Sequence, residues 1–390
     1  MMRFDEYYDV VIVGTGAAGL YCALNFPKRY KVLLLTKQKA DECDSFLAQG
    51  GICMQHGEAD YRSFFEDTMR AGHYENDAAT VDLMIRSSNS IIRDLVRRGV
   101  RFARDENGAL RFTREGAHSR ARILFHEDVT GREITQTLLA EVLRCENIEL
   151  RENTVMLDFF ADAAACGGVV AMGPDGAVRA IGAGAVVLAC GGIGGLYKNS
   201  TNYPHITGDA IAMALRHGVP CRHLDYIQIH PTTLFSRKKG RRFLISESVR
   251  GEGALLLDKN GNRFTNELQP RDVVSAAIRA QMEKDGTEHV WEDMRPIGEA
   301  VICEHFPNIL ERCEEEGYDP LHEPIPVVPA QHYFMGGIQA DLSSRTALPR
   351  LTQYLKSSLG VMILALVLAA LSAVMTIIGP NKIGDMATLM

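Results

Sequence analysis

Between Thr113 and Ile134 the chain reads TREGAHSRARILFHEDVTGREI, its densest gathering of groups that can hold or move charge. Two carboxylate–arginine neighbourhoods, two histidines and a glycine turn share this short tract. Carboxylates and imidazoles so placed can pair with an ammonium group or pass protons. The same composition also suits a solvated loop. Its position downstream of a nucleotide-binding pattern favours the chemical reading over the bland one.

That pattern opens the chain. Tyr8–Val13 (YDVVIV) is an apolar, β-branched run, followed by GTGAAG at Gly14–Gly19, the helix-like LYCALNF and a second strand at Lys31–Leu35. Strand, glycine turn, helix and strand in this order form a nucleotide-binding βαβ unit. Gly14 allows the tight turn, Gly16 lets the backbone approach a pyrophosphate, and Gly19 lets the helix pack on the strand. Thr15, Ala17 and Ala18 fill the turn, whose helix N-terminus faces the phosphates. The acid that usually holds a ribose about 20 residues onward is missing. Thr36-Lys37 stand there, which argues against a plain NAD site; Lys37 suits a phosphate or a flavin nucleotide, or is an ordinary surface lysine.

Further elements must carry the remaining candidates. Asp77–Val100 has helical apolar spacing, and Ile148–Phe160 with Gly167–Val187 read as strands and hairpins. Ala185–Ala189 reads as a buried strand leading into a second glycine turn, CGGIGG. Asp209 opens a helix, where an acid favours the dipole. From about residue 225 the character changes, with His230-Pro231, SESVRGEGA at Ser246–Ala254, a hairpin-like Leu257–Phe264 and Pro270-Arg271-Asp272. Ala276–Met282 and Ile302–Glu316 look helical, and Pro324–Pro329 reads as a stiff connector. The fold class is α/β: a Rossmann-like nucleotide domain (1–223, resumed at 333–350) carrying an inserted α+β capping domain (224–332).

The charge of −7 argues against nucleic acid as a partner. Nine cysteines with no CxxC pair indicate neither a zinc site nor a disulfide framework, and fit a reducing cytoplasm.

Taken together, GTGAAG, SFLAQGG, TREGAHSRARI, DVTGREI, ACGGIGGLY, TGDAIAMA, IHPTTL, SESVRGEGA, QPRDVVSAAI and AQHYFMGGI resemble the succinate dehydrogenase/fumarate reductase flavoproteins, and among them the L-aspartate oxidases. The resemblance runs from about Tyr8 to Pro349. It implies an FAD-binding domain, a mobile cap and catalysis at their junction. By position, Thr15–Ala18, Lys37, Asp209 and the loop Ser45, Phe46, Leu47, Ala48, Gln49, Gly50 and Gly51 would contact FAD. Relatives with covalent flavin place a histidine where this chain has Asp44, so FAD is expected to be non-covalent.

The implied reaction removes a hydride from Cα of L-aspartate and leaves iminoaspartate, with O2 or fumarate as final acceptor. It is the first step of de novo NAD synthesis, feeding quinolinate synthase. Two substrate carboxylates need donors. His230, His332 and Ser246 match that role, with Glu247 and Arg250 in the same capping segment. Arg271 matches the family's proton-transfer arginine, or serves as a carboxylate clamp. Glu115 is expected to pair with the substrate ammonium, or else with Arg114, Arg120 or Arg122. The alternatives are a succinate/fumarate oxidoreductase, against which Asp44 and Glu115 argue, and a non-catalytic tethered fragment.

After Arg350 the family's further glycine-rich and arginine-bearing segments are not found. Instead Leu359–Ile378 is uncharged over 20 positions, long enough to span a bilayer. This tail (351–390) resembles the first membrane helix of an ABC-type exporter, and predicts a hybrid chain with possible membrane contact, weak FAD retention and low turnover.

Overall fold

A computed structural model describes residues 3–114, 117–127, 129–161 and 165–347. Glu115 and the apolar run 359–378 lie outside the described residues. Among those described, no helix is long and apolar enough to cross a membrane.

The first half alternates strands and helices. It runs β1 (Glu6–Val13), α1 (Ala17–Leu24), β2 (Val32–Leu35), α2 (Asp44–Leu47), β3 (Ile52–Cys53), α3 (Tyr61–Ala71), α4 (Ala78–Arg97), β4 (Phe112–Thr113), β5 (Ile123–Leu124) and α5 (Thr130–Val142). Then come β6 (Ile148–Arg151), β7 (Val155–Ala161), β8 (Cys166–Met172), β9 (Val178–Leu188) and α6 (Asp209–Arg216). Six of these strands form one sheet in the order β6-β2-β1-β9-β8-β7. Strands β6, β2, β1 and β9 are parallel, and the β7–β8 hairpin adds antiparallel to β9.

Continuous apolar strands suit a parallel sheet covered on both faces. Val10 and Ile12 of β1 enter one core with Leu20, Ile92 and Leu138, while Val11 and Val13 enter another with Val169, Ile181 and Met213. The end of β9 differs from expectation: Ala185 is exposed and Val186–Ala189 is only half-buried.

The second half continues as β10 (Cys221–Arg222), β11 (Ile227–Leu234), α7 (Glu247–Gly251), β12 (Leu255–Leu257), α8 (Arg271–Asp285), β13 (Val290–Asp293), α9 (Glu299–His305), α10 (Pro307–Glu315), β14 (Ile325–Phe334) and β15 (Gly337–Ile338). An antiparallel sheet of order β11-β14-β13-β12 encloses its own core with α7–α10, including Val249, Val274, Ile278, Ile302 and Ile309. Past it the chain returns, as β15 pairs with β10 and Ile338 packs against the core of the first sheet.

Two sequence expectations need correction here. Ile302–Glu316 is two helices, broken at Phe306 because Pro307 lacks an amide hydrogen and starts a new helix. Pro324–Pro329 is no connector: from Ile325 it is the start of β14. Pro329 is tolerated because β11 bulges opposite it, where His230 pairs with Ala330 but Thr233 pairs with Val328. Pro326 still contributes a carbonyl, which accepts from Phe235 N at 2.9 Å.

Candidate active site

The glycine turn is built by close backbone approach. Gly14 has φ +113°, and a Cβ there would stand 2.1 Å from the Ala189 carbonyl oxygen. A Cβ on Gly19 would stand 2.0 Å from the Gly14 oxygen, which is how α1 seats on the turn. Gly16 caps α1 without a side-chain hydrogen bond. Ser45 closes the other side, its Oγ accepting from Ala17 N at 3.0 Å. Ala48 at the end of α2 accepts from Gly131 N at 2.9 Å, tying the loop Phe46–Gly51 to the start of α5. Leu47, Gln49 and Gly50 lie in this partly exposed loop.

One atom of the turn is unmatched. Thr15 is 2% exposed and its hydroxyl has no hydrogen-bond partner. A buried hydroxyl without a partner is costly. Beside an uncapped helix start, it fits the pyrophosphate of a dinucleotide, so this cradle suits FAD.

Lys37 is neither loose nor solvent-bound. Its Nζ donates to the His205 carbonyl (3.0 Å), Thr207 Oγ1 (2.9 Å) and Asp209 Oδ2 (2.7 Å). The two residues expected to contact the cofactor separately therefore contact each other, joining the end of β2 to the start of α6. Asp44 accepts from Tyr203 N at 3.0 Å. Burial pushes its carboxyl up to about 6.

The second cluster lies on the inserted sheet and its helices. Arg271 is the first residue of α8. Its Nε donates to Glu247 Oε2 at 2.7 Å and its Nη1 to Gln228 Oε1 at 2.8 Å. His230, on the bulged β11, is 1% exposed. His332, on the neighbouring β14, stands with its ring centroid 5.4 Å from that of His230. Thr201 Oγ1 lies 2.8 Å from His332 Nδ1 and fixes the ring. Burial, then the Arg271 charge, holds both imidazoles down: His230 well below its ordinary value and His332 to about 4. Both are therefore neutral at pH 7. Ser246 caps α7, its hydroxyl 3.3 Å from Ser248 N.

Arg271, His230 and His332 are thus brought together, with Glu247 and Gln228 orienting the arginine. Gln228 and Thr201 were missed in the sequence, because neither residue type marks itself out. The tract that opened the sequence reading divides. Arg122 is 0% exposed and is a structural ion-pair centre, bonded to Asp60 Oδ1 at 2.8 Å and Asp67 Oδ2 at 2.7 Å. Its donors are already engaged by these two acids. His118 Nδ1 accepts from Arg122 Nη1 at 3.0 Å, because arginine can only donate. Its Nε2 then carries the proton.

Comparison with known proteins places these features in context. The FAD binding domain family matches residues 9–353. The match ends short of the apolar run 359–378, and these comparisons do not support the likeness of that run to an exporter helix. An L-aspartate oxidase of Clostridium perfringens is 46% identical over 90% of this chain and 80% of its own. One from Nostoc is 43% identical over 90% of this chain and 62% of its own. Among solved structures, an E. coli quinol fumarate reductase mutant aligns with TM-score 0.80 and 32% identity, over 88% of this chain and 63% of that one. A flavocytochrome c3 fumarate reductase in its open conformation aligns with TM-score 0.71 and 25% identity, over 89% and 72%. The chain thus spans four-fifths of the clostridial relative but less than two-thirds of the Nostoc enzyme and the E. coli fumarate reductase.

Proposed function

The chain belongs to the FAD-binding flavoprotein family that includes the L-aspartate oxidases, and from that footing we propose that it oxidises L-aspartate to iminoaspartate. The observation that carries the reading is the grouping of Arg271, His230 and His332 on one sheet and its flanking helix, in a chain with an FAD cradle at Gly14–Gly19. FAD supplies the hydride acceptor, reoxidised by O2 or by fumarate. Gly14–Gly19, Ser45–Gly51, Lys37 and Asp209 are the residues that would hold it. Asp44 offers no ring nitrogen for attachment, which supports non-covalent binding.

The chain's own groups do the rest. Neutral His230 and His332 donate to the substrate carboxylates. Arg271, oriented by Glu247 and Gln228, clamps a carboxylate and stands where a proton is exchanged. Ser246 adds a hydroxyl at the start of α7. Residues 224–332 act as the cap over this site. Glu115, outside the described residues, takes the substrate ammonium on the strength of the TREGAHS motif. The product feeds quinolinate synthase in the cytoplasm, completing the first step of de novo NAD synthesis.

The test is direct. Bound FAD is measured by absorbance, and peroxide is then followed with aspartate and with succinate. Peroxide from aspartate alone supports the reading. Turnover of succinate but not aspartate would replace it with a succinate/fumarate oxidoreductase. Glu115→Gln should weaken aspartate oxidation far more than fumarate reduction; equal losses remove Glu115 from substrate selection.

A further inference from the structure

Beneath the substrate cluster lies an acid that the reaction above does not use. Glu292 sits on β13, paired with Leu256 of β12 on one side and Ile325 of β14 on the other. It is 0% exposed, and neither carboxyl oxygen has a hydrogen-bond partner. Arg250 of α7 is nearly as buried, at 3%. It spends Nη1 on the Glu267 carbonyl at 2.6 Å and leaves Nε and Nη2 without partners.

The neighbouring charges are already committed. Glu267 Oε1 accepts from Leu256 N at 2.9 Å, and its Oε2 from Arg263 Nη2 at 2.6 Å. Asp293, next on the strand, is held by Arg295 at 2.7 Å. Cys313 of α10 is a thiol pushed up to about 12, chiefly by burial and then by the Glu292 charge. Glu247 faces Arg271. That leaves Arg250 as the cation that acts on Glu292 among the described residues, and Glu292 acts on Arg250 more strongly than Glu247 does.

A carboxylate with no donor in a dry site is strongly disfavoured. Burial pushes Glu292 up to about 8, so it carries a proton at neutral pH. Arg250 then keeps its positive charge, offset in part by Glu247 and Glu267, and that charge reaches both His230 and Arg271. Deprotonation of Glu292 would set a negative charge against it.

We propose that Glu292 is a positioning residue acting through Arg250: its proton determines how much positive charge the floor of the site offers to a dicarboxylate. This rests on the reading that Arg271, His230 and His332 bind one. Between neutral and mildly alkaline pH the two imidazoles stay neutral, so Glu292 supplies the charge change in that interval.

The experiment is calorimetric titration of succinate into the full chain with saturating FAD, at about pH 6.5 and about pH 9. The unaltered chain should lose roughly three- to tenfold in affinity across this interval. Glu292→Gln and Glu292→Leu, both uncharged, should bind with the same affinity at both. The infrared band of a protonated carboxyl should be present in the unaltered chain at the lower pH and lost at the higher, and in Glu292→Gln only the smaller share contributed by Asp44 should remain. An equal loss of affinity in both variants overturns the proposal, as does a carboxyl band at the lower pH that is no smaller in Glu292→Gln than in the unaltered chain. If succinate does not bind at either pH, the dicarboxylate reading itself falls and takes this inference with it.

Discussion

Arg271 reaches Glu247 through Nε at 2.7 Å while turning Nη1 to Gln228 at 2.8 Å, so two edges of one planar guanidinium are fixed from two different elements. Glu247 belongs to α7 and Gln228 to β11. The fork leaves Arg271 little freedom other than to present its remaining N–H groups, on Nη1 and Nη2, to a ligand.

Lysine cannot reproduce that fork, because its ammonium is a point charge on a flexible stem. Arg271→Lys should lower kcat for aspartate by roughly 10²- to 10⁴-fold. FAD content should stay unchanged, since no cofactor-cradle residue is touched. Steady-state peroxide formation beside the flavin absorbance checks both halves.

Lys37 and Asp209 form a partly exposed pair, at 32% and 34% side-chain exposure. Breaking such a pair costs less than about 1 kcal/mol of stability. Lys37→Met should therefore leave the melting temperature almost unmoved. It should nevertheless weaken FAD retention by roughly tenfold, because β2 and α6 are no longer tied beside the cradle. Equilibrium dialysis of FAD gives the answer.

Arg122 behaves oppositely. Its removal leaves Asp60 and Asp67 buried without their cation, at 1% and 4% side-chain exposure. Arg122→Met should cost about 3–5 kcal/mol in denaturant unfolding. A loss below about 1 kcal/mol would show that the tract holds together without this centre.

His332 gives a pH signature. Its imidazole is held down to about 4, by burial first and Arg271 second. It is neutral in the fold, whereas in the unfolded chain it protonates near its ordinary value of about 6.5. Its contribution to stability is thus complete above that value and lost as pH falls toward 4. The loss is at most about 3 kcal/mol. His332→Asn should flatten the fall in melting temperature over this interval.

The βαβ unit and the helix at Asp77–Val100 were legible because their periodicity is local. So were Arg271, His230 and His332, through the family motifs that carry them. β14 was not legible, because two prolines argue against a strand, and only the bulge in β11 opposite Pro329 and the pairing of Pro326 with Trp291 show how they fit. The role of Arg122 was hidden for a different reason. Its acids stand 62 and 55 positions away, and no local pattern announces a pair of that range. Lys37 was recognised as a candidate, but its partner lies 172 positions on.

The two histidines sit on adjacent strands, β11 and β14, which are also the way into and out of the inserted segment. Their spacing is therefore set by a backbone ladder. Thr201, which lies before that segment, also holds His332 at 2.8 Å, so the pair of imidazoles is pinned from both sides of the boundary and any shift of the segment has to break that bond first.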